Sequence, residues 1–276
     1  MSSFAAAAEA APEALREDAD ARAAGAMRID RAVPNLFVVP AFNEEANLPR
    51  LFADLESRPA LFPPGSRLFI VDDGSQDDTA AIVDRYSGPL PAEVIRLGRN
   101  QGPGAAFRAG FAAALEECDG EALVVTLEAD TTSDLDALPE MIRRAYTGAE
   151  LVLASWVMVN VSRTRRILSE GAAKVINRIL GVDAKTVSSF YRVYRASTLR
   201  AAAARYGDAL IREPGFACKA ELLSKLSSMS VRIEEVDVGL DTSRRVGDSK
   251  MPILRTIFHY WRLMARQRLA RDPIAA

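Results

Sequence analysis

Four short polar clusters hold most of the residues in this 276-residue chain that could do chemistry: Asn43-Glu44-Glu45, Asp72-Asp73-Gly74-Ser75, Arg99-Asn100-Gln101-Gly102-Pro103-Gly104 and Glu128-Ala129-Asp130. The chain has one histidine, His259, and two cysteines, Cys118 and Cys218, so a metal site of imidazoles and thiolates is excluded and any metal must sit on oxygen. Carboxylates that share a crevice repel one another unless a cation or hydrogen-bond donors share it too. A nucleoside offers base N–H groups and ribose hydroxyls to such acceptors, and a diphosphate brings a divalent ion with it. Glu128 and Asp130 are two residues apart and can face a common ion. Taken singly, Asp-Asp-Gly-Ser is more often a turn and Glu128 with Asp130 a solvated loop. Their weight comes from their order along the chain.

Each cluster follows an apolar run. Leu36-Phe37-Val38-Val39-Pro40 reads as a strand buried on both faces, and Asn43 can cap a helix beginning near Glu44 with Leu48, Leu51, Phe52 and Leu55 on one side. Leu68 to Val71, Glu93 to Arg96, Leu123 to Leu127 and Leu151 to Leu153 read as further strands. Helices are expected from Asp77 to about Tyr86, from Gly102 to Cys118 and from Pro139 to Tyr146. Short strands alternating with helices predict an α/β fold, a mostly parallel sheet flanked by helices. In such sheets ligands bind beyond the carboxyl ends of the strands, which is where the four clusters fall.

Composition narrows the function classes. Thirty-five basic residues against 37 acidic ones give a net charge of -2, which provides no global field for nucleic acid. Two cysteines are too few to staple a fold of this size, so they are expected as buried thiols in a cytoplasmic protein. Residues 1–32 are Ala-rich, without an aliphatic stripe or the apolar core of a signal peptide, and read as a flexible arm; no run is long enough to span a membrane. The expected organisation is this arm, an α/β domain over 33–250 and a basic amphipathic helix over 251–276. In that helix Ile257, Phe258, Trp261 and Met264 share a face, read first as packing against the core or a second subunit and alternatively as peripheral contact with anionic lipid. Ser162 to Leu180 carries a similar pattern. His259 is expected to pack rather than catalyse.

Val39-Pro40-Ala41-Phe42-Asn43-Glu44-Glu45 and Val71-Asp72-Asp73-Gly74-Ser75-Gln76-Asp77-Asp78-Thr79 resemble the opening motifs of family 2 glycosyltransferases of the GT-A fold, and Arg99-Asn100-Gln101-Gly102 resembles the segment that follows them. Glu128-Ala129-Asp130 stands where that family carries its Asp-x-Asp metal motif. Ser188-Ser189-Phe190 and Arg244-Arg245-Val246-Gly247-Asp248-Ser249-Lys250 are similar to polyprenyl-phosphate (dolichol-phosphate) mannosyl- or glucosyltransferases. The resemblance runs from about Leu36 to Lys250. It implies a hexosyltransferase that takes sugar from a GDP- or UDP-sugar with inversion, using Mg²⁺ or Mn²⁺. Pro40, Ala41, Phe42, Glu44, Val71, Asp72 and Asp73 match the positions that hold the nucleoside. Glu128, Ala129 and Asp130 match the diphosphate and metal site, with Glu128 and Asp130 as metal ligands. Arg244 and Lys250 match the basic pair that meets the diphosphate, and with Asp130 form the implied catalytic set.

The sequence departs from the family pattern at Glu128, one methylene longer than Asp, at Thr132 in place of a glutamine, and at Ala154-Ser155-Trp156 in place of a Gly-Ser-Arg type segment. These departures lie mostly toward the acceptor. The acceptor is therefore either a polyprenyl phosphate, already an anion, or a soluble hydroxyl or amine, which would need a carboxylate base from among Glu213, Glu221, Asp183 and Glu170. A nucleotide-sugar binding protein without turnover is the reading from outside enzymology.

Overall fold

The computed structural model describes residues 32–118, 120–157, 177–178, 181–182, 184–187, 189–239, 246 and 253–269. The arm up to residue 31, most of 162–180, and Glu170, Asp183, Ser188, Arg244 and Lys250 lie outside the described residues.

Among the described residues seven strands form one sheet: β1 (Asn35–Ala41), β2 (Arg67–Asp72), β3 (Ala92–Arg96), β4 (Leu123–Thr126), β5 (Leu151–Val157), β6 (Arg192–Arg195) and β7 (Ile233–Gly239), in the order β3-β2-β1-β4-β6-β5-β7. The first four are parallel to one another, β6 runs antiparallel to β4 and β5, and β7 is parallel to β5. The helices are α1 (Leu48–Glu56), α2 (Thr79–Asp84), α3 (Pro103–Glu117), α4 (Leu138–Tyr146), α5 (Ala196–Tyr206), α6 (Cys218–Ser227) and α7 (Ile253–Leu269). The expected mostly parallel sheet flanked by helices is thus what the chain forms.

The continuous apolar run of β1 has its reason in two cores. Leu36 and Val38 pack with Phe69, Val71 and α3 on one face, while Phe37, Val39 and Ala41 pack with α1, Leu68 and Ile70 on the other. Burying each large side chain contributes about 1.5–3 kcal/mol, so a strand covered on both faces tolerates no polar alternation. Pro40 pairs in register with Val71 of β2, but the β4 ladder ends at Val38, so no β4 partner is deprived of an N–H donor. Gly110 lets α3 lie directly on β1: a Cβ there would come within 2.3 Å of Val38 Cγ1.

Two expectations need correction. The first helix begins at Leu48 rather than near Glu44, with Pro49 in its first turn. Asn43 does not cap it, being held at φ 54° with its Oδ1 accepting from Gln76 N at 2.8 Å. The C-terminal helix packs by a face that is only partly the expected one: His259 and Leu263 are buried and Met264 packs against the core, while Phe258 and Trp261 are 57% and 64% exposed.

Candidate active site

The loops that follow β1, β2 and β3 are laced together before any ligand is considered. After β1, Asn43 N donates to Ser75 Oγ at 2.9 Å, Glu44 N to Thr79 Oγ1 at 2.7 Å and Glu45 N to Asp77 Oδ2 at 3.1 Å. After β2, Asp72 Oδ1 accepts from Ser75 N at 2.9 Å, which closes the turn. Gly74 takes φ +76°, and a Cβ there would lie 2.4 Å from the Arg99 carbonyl carbon, so only glycine lets these two loops touch. Asp73 reaches across to the third loop. Its Oδ1 accepts from Gln101 N and its Oδ2 from Gly102 N, both at 2.7 Å. Burial pushes the Asp73 carboxyl above its ordinary pKa, the two backbone N–H groups oppose that shift, and the neighbouring Asp72 adds to it.

The third loop is in turn seated on the second half of the chain. Gly104 N donates to Pro214 O at 2.9 Å, and a Cβ on Gly104 would fall 2.0 Å from Glu213 O. The Gly102-Pro103-Gly104 sequence thus serves close backbone approach as α3 begins.

Beyond β4, Asp130 is buried and its Oδ1 accepts from Thr132 N at 3.1 Å and Thr132 Oγ1 at 2.6 Å. The intervening Thr131 has φ +62°, a rare conformation for a β-branched residue and one that costs on the order of 1–2 kcal/mol. Such strain persists where the surroundings over-determine it, and here it aims the turn that carries Asp130. Glu128 behaves differently. Its Oε2 accepts from Ser133 Oγ at 2.5 Å and its Oε1 from Phe190 N at 3.2 Å. Burial pushes its carboxyl upward, the Ser133 hydrogen bond and the Lys219 ammonium oppose that, and Asp130 adds to it. Lys219, on α6, is itself pushed down to about 8 by burial, with Glu128 holding it back. Its Nζ lies 3.8 Å from the centroid of the Phe190 ring.

Pro40, Ala41, Phe42 and Glu44 therefore lie at the carboxyl end of β1, Val71, Asp72 and Asp73 at that of β2, and Glu128, Ala129 and Asp130 at that of β4, which are adjacent parallel strands. Three contributors were not singled out from sequence. Asn47 and Thr79 are buried anchors of the first loop. Lys219 is a cation coupled to Glu128. Thr79 ends the Asp72–Thr79 motif and could have been found there, whereas the other two carry no local signal. Glu213 and Glu221 are not poised as bases. Glu213, fully buried, accepts from Arg262 Nη2 at 2.7 Å and from Arg266, with His259 Nδ1 3.6 Å away. Glu221 accepts from Arg212 N, Glu213 N and Lys225 Nζ. Both hold the structure together, Glu213 by anchoring α7.

The mixed sheet with its acidic rim at the parallel strand ends is the GT-A architecture of nucleotide-sugar transferases. Glucosyl-3-phosphoglycerate synthase from Mycobacterium tuberculosis, solved with Mn²⁺, UDP and glucosyl-3-phosphoglycerate, superposes with a TM-score of 0.59 at 20% identity, over 92% of this chain and 84% of that one. The same enzyme with phosphoglyceric acid gives 0.60 at 19% identity, over 94% and 83%. In sequence, an undecaprenyl-phosphate mannosyltransferase from Micrococcus luteus is 31% identical over 222 residues, 78% of this chain and 86% of that protein. The undecaprenyl-phosphate 4-deoxy-4-formamido-L-arabinose transferase of Pseudomonas aeruginosa is 32% identical over 167 residues, 59% of this chain and 48% of that longer protein. Residues 36–203 match Glycosyl transferase family 2, and the chain belongs to that family. It is a glycosyltransferase.

Proposed function

We propose that this enzyme transfers a hexose, with inversion, from a nucleoside-diphosphate sugar, UDP or GDP, to a polyprenyl phosphate. The observation that carries the reading is the gathering of buried Asp72, Asp73 and Asp130 at the ends of neighbouring parallel strands. The nucleoside lies against Pro40, Ala41, Phe42, Glu44, Val71, Asp72 and Asp73, and Arg244 and Lys250 meet the diphosphate. Cations at that point stabilise the leaving nucleoside diphosphate as the glycosidic bond breaks.

A divalent cation suits the donor set. Mg²⁺ or Mn²⁺ on a diphosphate needs one or two protein carboxylates and fills its remaining positions with phosphate and water. Asp130, fixed through one oxygen by Thr132, is the carboxylate that would hold it, with Ala129 beside it. Glu128, whose oxygens accept from Ser133 Oγ and Phe190 N, is the second carboxylate that would face the ion. Bound there, the ion neutralises charge on the diphosphate.

The lipid acceptor is supported by the Micrococcus relative, which acts on undecaprenyl phosphate by name, and by Phe258 and Trp261. Among the described residues no helix is long and apolar enough to cross a membrane. Two bulky side chains turned outward on a basic C-terminal helix instead suit contact with the surface of an anionic membrane.

The test is a melting titration with UDP and GDP in the presence of Mn²⁺, followed by transfer assays on short-chain polyprenyl phosphates and soluble phosphorylated acceptors. A nucleotide at 100 times its Kd stabilises by about 2.7 kcal/mol, a readily measured shift. Asp130→Ala should abolish transfer. Stabilisation by neither nucleotide refutes the donor, and transfer confined to soluble acceptors refutes the lipid. Flotation with anionic vesicles should be lost in the Phe258→Ser/Trp261→Ser double variant.

A further inference from the structure

Lys219 carries a positive charge that no hydrogen bond from a described residue answers. It is the second residue of α6, half-buried, and its backbone is pinned, since Arg192 Nη1 donates to Lys219 O at 3.0 Å. Its head is held only by rings. Nζ lies 3.8 Å from the centroid of Phe190 and 5.5 Å from that of Phe216, and the two rings stand 5.9 Å apart. Glu128 attracts this ammonium, but its oxygens accept from Ser133 Oγ and Phe190 N instead. A lysine head is all donor, and withdrawing it from water without acceptors is costly. A cation in the first turn of a helix also opposes the helix dipole. The ring faces offset part of this. An uncharged side chain of the same length would pack between them without either cost.

We propose that Lys219 is a specificity-determining residue of this transferase, the cation that receives the phosphate of an anionic acceptor. Its place along the rim supports this. Strand order sets the nucleoside residues after β2 and β1, and Asp130 after β4. The next strand, β6, is antiparallel and pairs Arg192 with Thr126, so Phe190, just ahead of β6, lies at the same rim on the side away from the nucleoside. A donor laid along the rim with its diphosphate at Asp130 turns its sugar toward Phe190 and Lys219. Inversion requires the acceptor to attack from the face opposite the diphosphate, which is this side. Glu128 repels a phosphate approaching there and, unopposed, would favour a neutral hydroxyl or a cationic amine. Lys219 reverses that preference, because its N–H groups can meet phosphate oxygens in charge-assisted hydrogen bonds. The inference rests on the donor reading of Asp72, Asp73 and Asp130, and it holds whether the phosphate is borne by a prenyl chain or by a soluble molecule.

The experiment is calorimetry on the full chain loaded with Mn²⁺ and with UDP or GDP, whichever stabilises it more. Wild type, Lys219→Met, Lys219→Gln and Lys219→Arg are titrated with farnesyl phosphate, with its neutral alcohol farnesol and with glycerol 3-phosphate. Lys219→Met keeps the length and the apolar stem and removes the charge. Farnesyl phosphate should bind about 10- to 100-fold more weakly to Lys219→Met and Lys219→Gln, the loss of one hydrogen bond to a charged group, and Lys219→Arg should recover most of it. Affinity for the nucleotide with Mn²⁺, measured without acceptor, should stay within about twofold of wild type in every variant, which also shows that the site is folded.

Equal binding of farnesyl phosphate to wild type and Lys219→Met overturns the proposal while the donor site and the lipid acceptor stand. A parallel loss of nucleotide or Mn²⁺ affinity in Lys219→Met places Lys219 with Glu128 at the metal and also overturns it. Farnesol bound by wild type as tightly as farnesyl phosphate shows that no phosphate is read, with the same consequence. Where wild type binds glycerol 3-phosphate and not farnesyl phosphate, the expected loss in Lys219→Met upholds Lys219 and refutes the lipid. If the nucleotide binds and none of the three probes does, the phosphate acceptor fails, and with it the role given to Lys219.

Discussion

Replacing Asp73 by asparagine tests whether this carboxylate works as a latch between loops. Asp73 is 4% exposed, and each of its oxygens accepts one backbone N–H at 2.7 Å, from Gln101 and Gly102. A carboxamide has one oxygen, so one of these N–H groups would face an NH₂ and be left buried without an acceptor. Hydrogen bonds to charged groups contribute about 1.5–3 kcal/mol, and a stranded buried donor costs about 1–3 kcal/mol. One effect opposes this loss. Burial holds the Asp73 carboxyl above its usual pKa, so removing the charge relieves some desolvation. Two short N–H contacts should outweigh that relief, and a net loss of about 2 kcal/mol is expected, or about 4–8 °C in Tm for a chain of this size. Urea unfolding and melting of Asp73→Asn give the number. Because the third loop passes its position on to Pro214 through Gly104, nucleotide affinity should fall along with stability. A variant as stable as wild type that no longer binds nucleotide would refute the latch and leave Asp73 as a direct contact to the base.

Glu213→Gln removes the buried charge that holds Arg262 and Arg266 of α7; these arginines are about 40% exposed, so the loss is about 1–3 kcal/mol, seen as faster hydrogen exchange across 253–269 with exchange in β1 and β4 unchanged. Burial pushes the Cys218 thiol up to about 12, so it should resist iodoacetamide in the native state at pH 8 and react at once in urea. Its native pKa lies above the ordinary value of 9, so the stability it contributes is fully present below pH 9 and lost as pH rises toward about 12. Cys218→Ala should show a shallower alkaline decline, and an equal slope would contradict the assignment.

Strands β1, β2 and β4 were legible because they are buried on both faces and therefore read as nearly unbroken apolar runs. The antiparallel strand β6 was not. Its sequence is Arg192-Val193-Tyr194-Arg195, and nothing local announces that Arg192 is 1% exposed, its guanidinium donating to the carbonyls of Val187 and Lys219. The helices Ala196–Tyr206 and Cys218–Ser227 were likewise missed, since their buried faces are defined by elements distant in sequence. In the candidate site, the position of each acidic cluster after its strand was legible, but the direction of each oxygen was not. Asp73 turns toward backbone, Glu128 toward Ser133, and Glu213 toward arginines 49 and 53 residues away. Periodicity in α7 found an amphipathic stripe, but the side on which the helix would pack depended on Glu213, which selects the face bearing Arg262 and Arg266 and leaves Phe258 and Trp261 outside.

The acidic rim is costly to assemble, and the loop hydrogen bonds explain how it stands without a ligand. Asp72 is bound to the Ser75 amide, Asp73 to two amides of the next loop, Glu44 to Asn47, and Asp130 to Thr132. Each carboxylate keeps a partner that does not titrate, so repulsion within the crevice is offset by fixed dipoles and not by mobile counter-ions. A carboxylate oxygen that accepts one N–H still has a second lone pair, so these contacts orient acceptors without exhausting them. Ligand binding then requires little reorganisation of the floor of the site. Asn47 extends this floor to Val246, exchanging hydrogen bonds with both the N–H and the C=O of that residue.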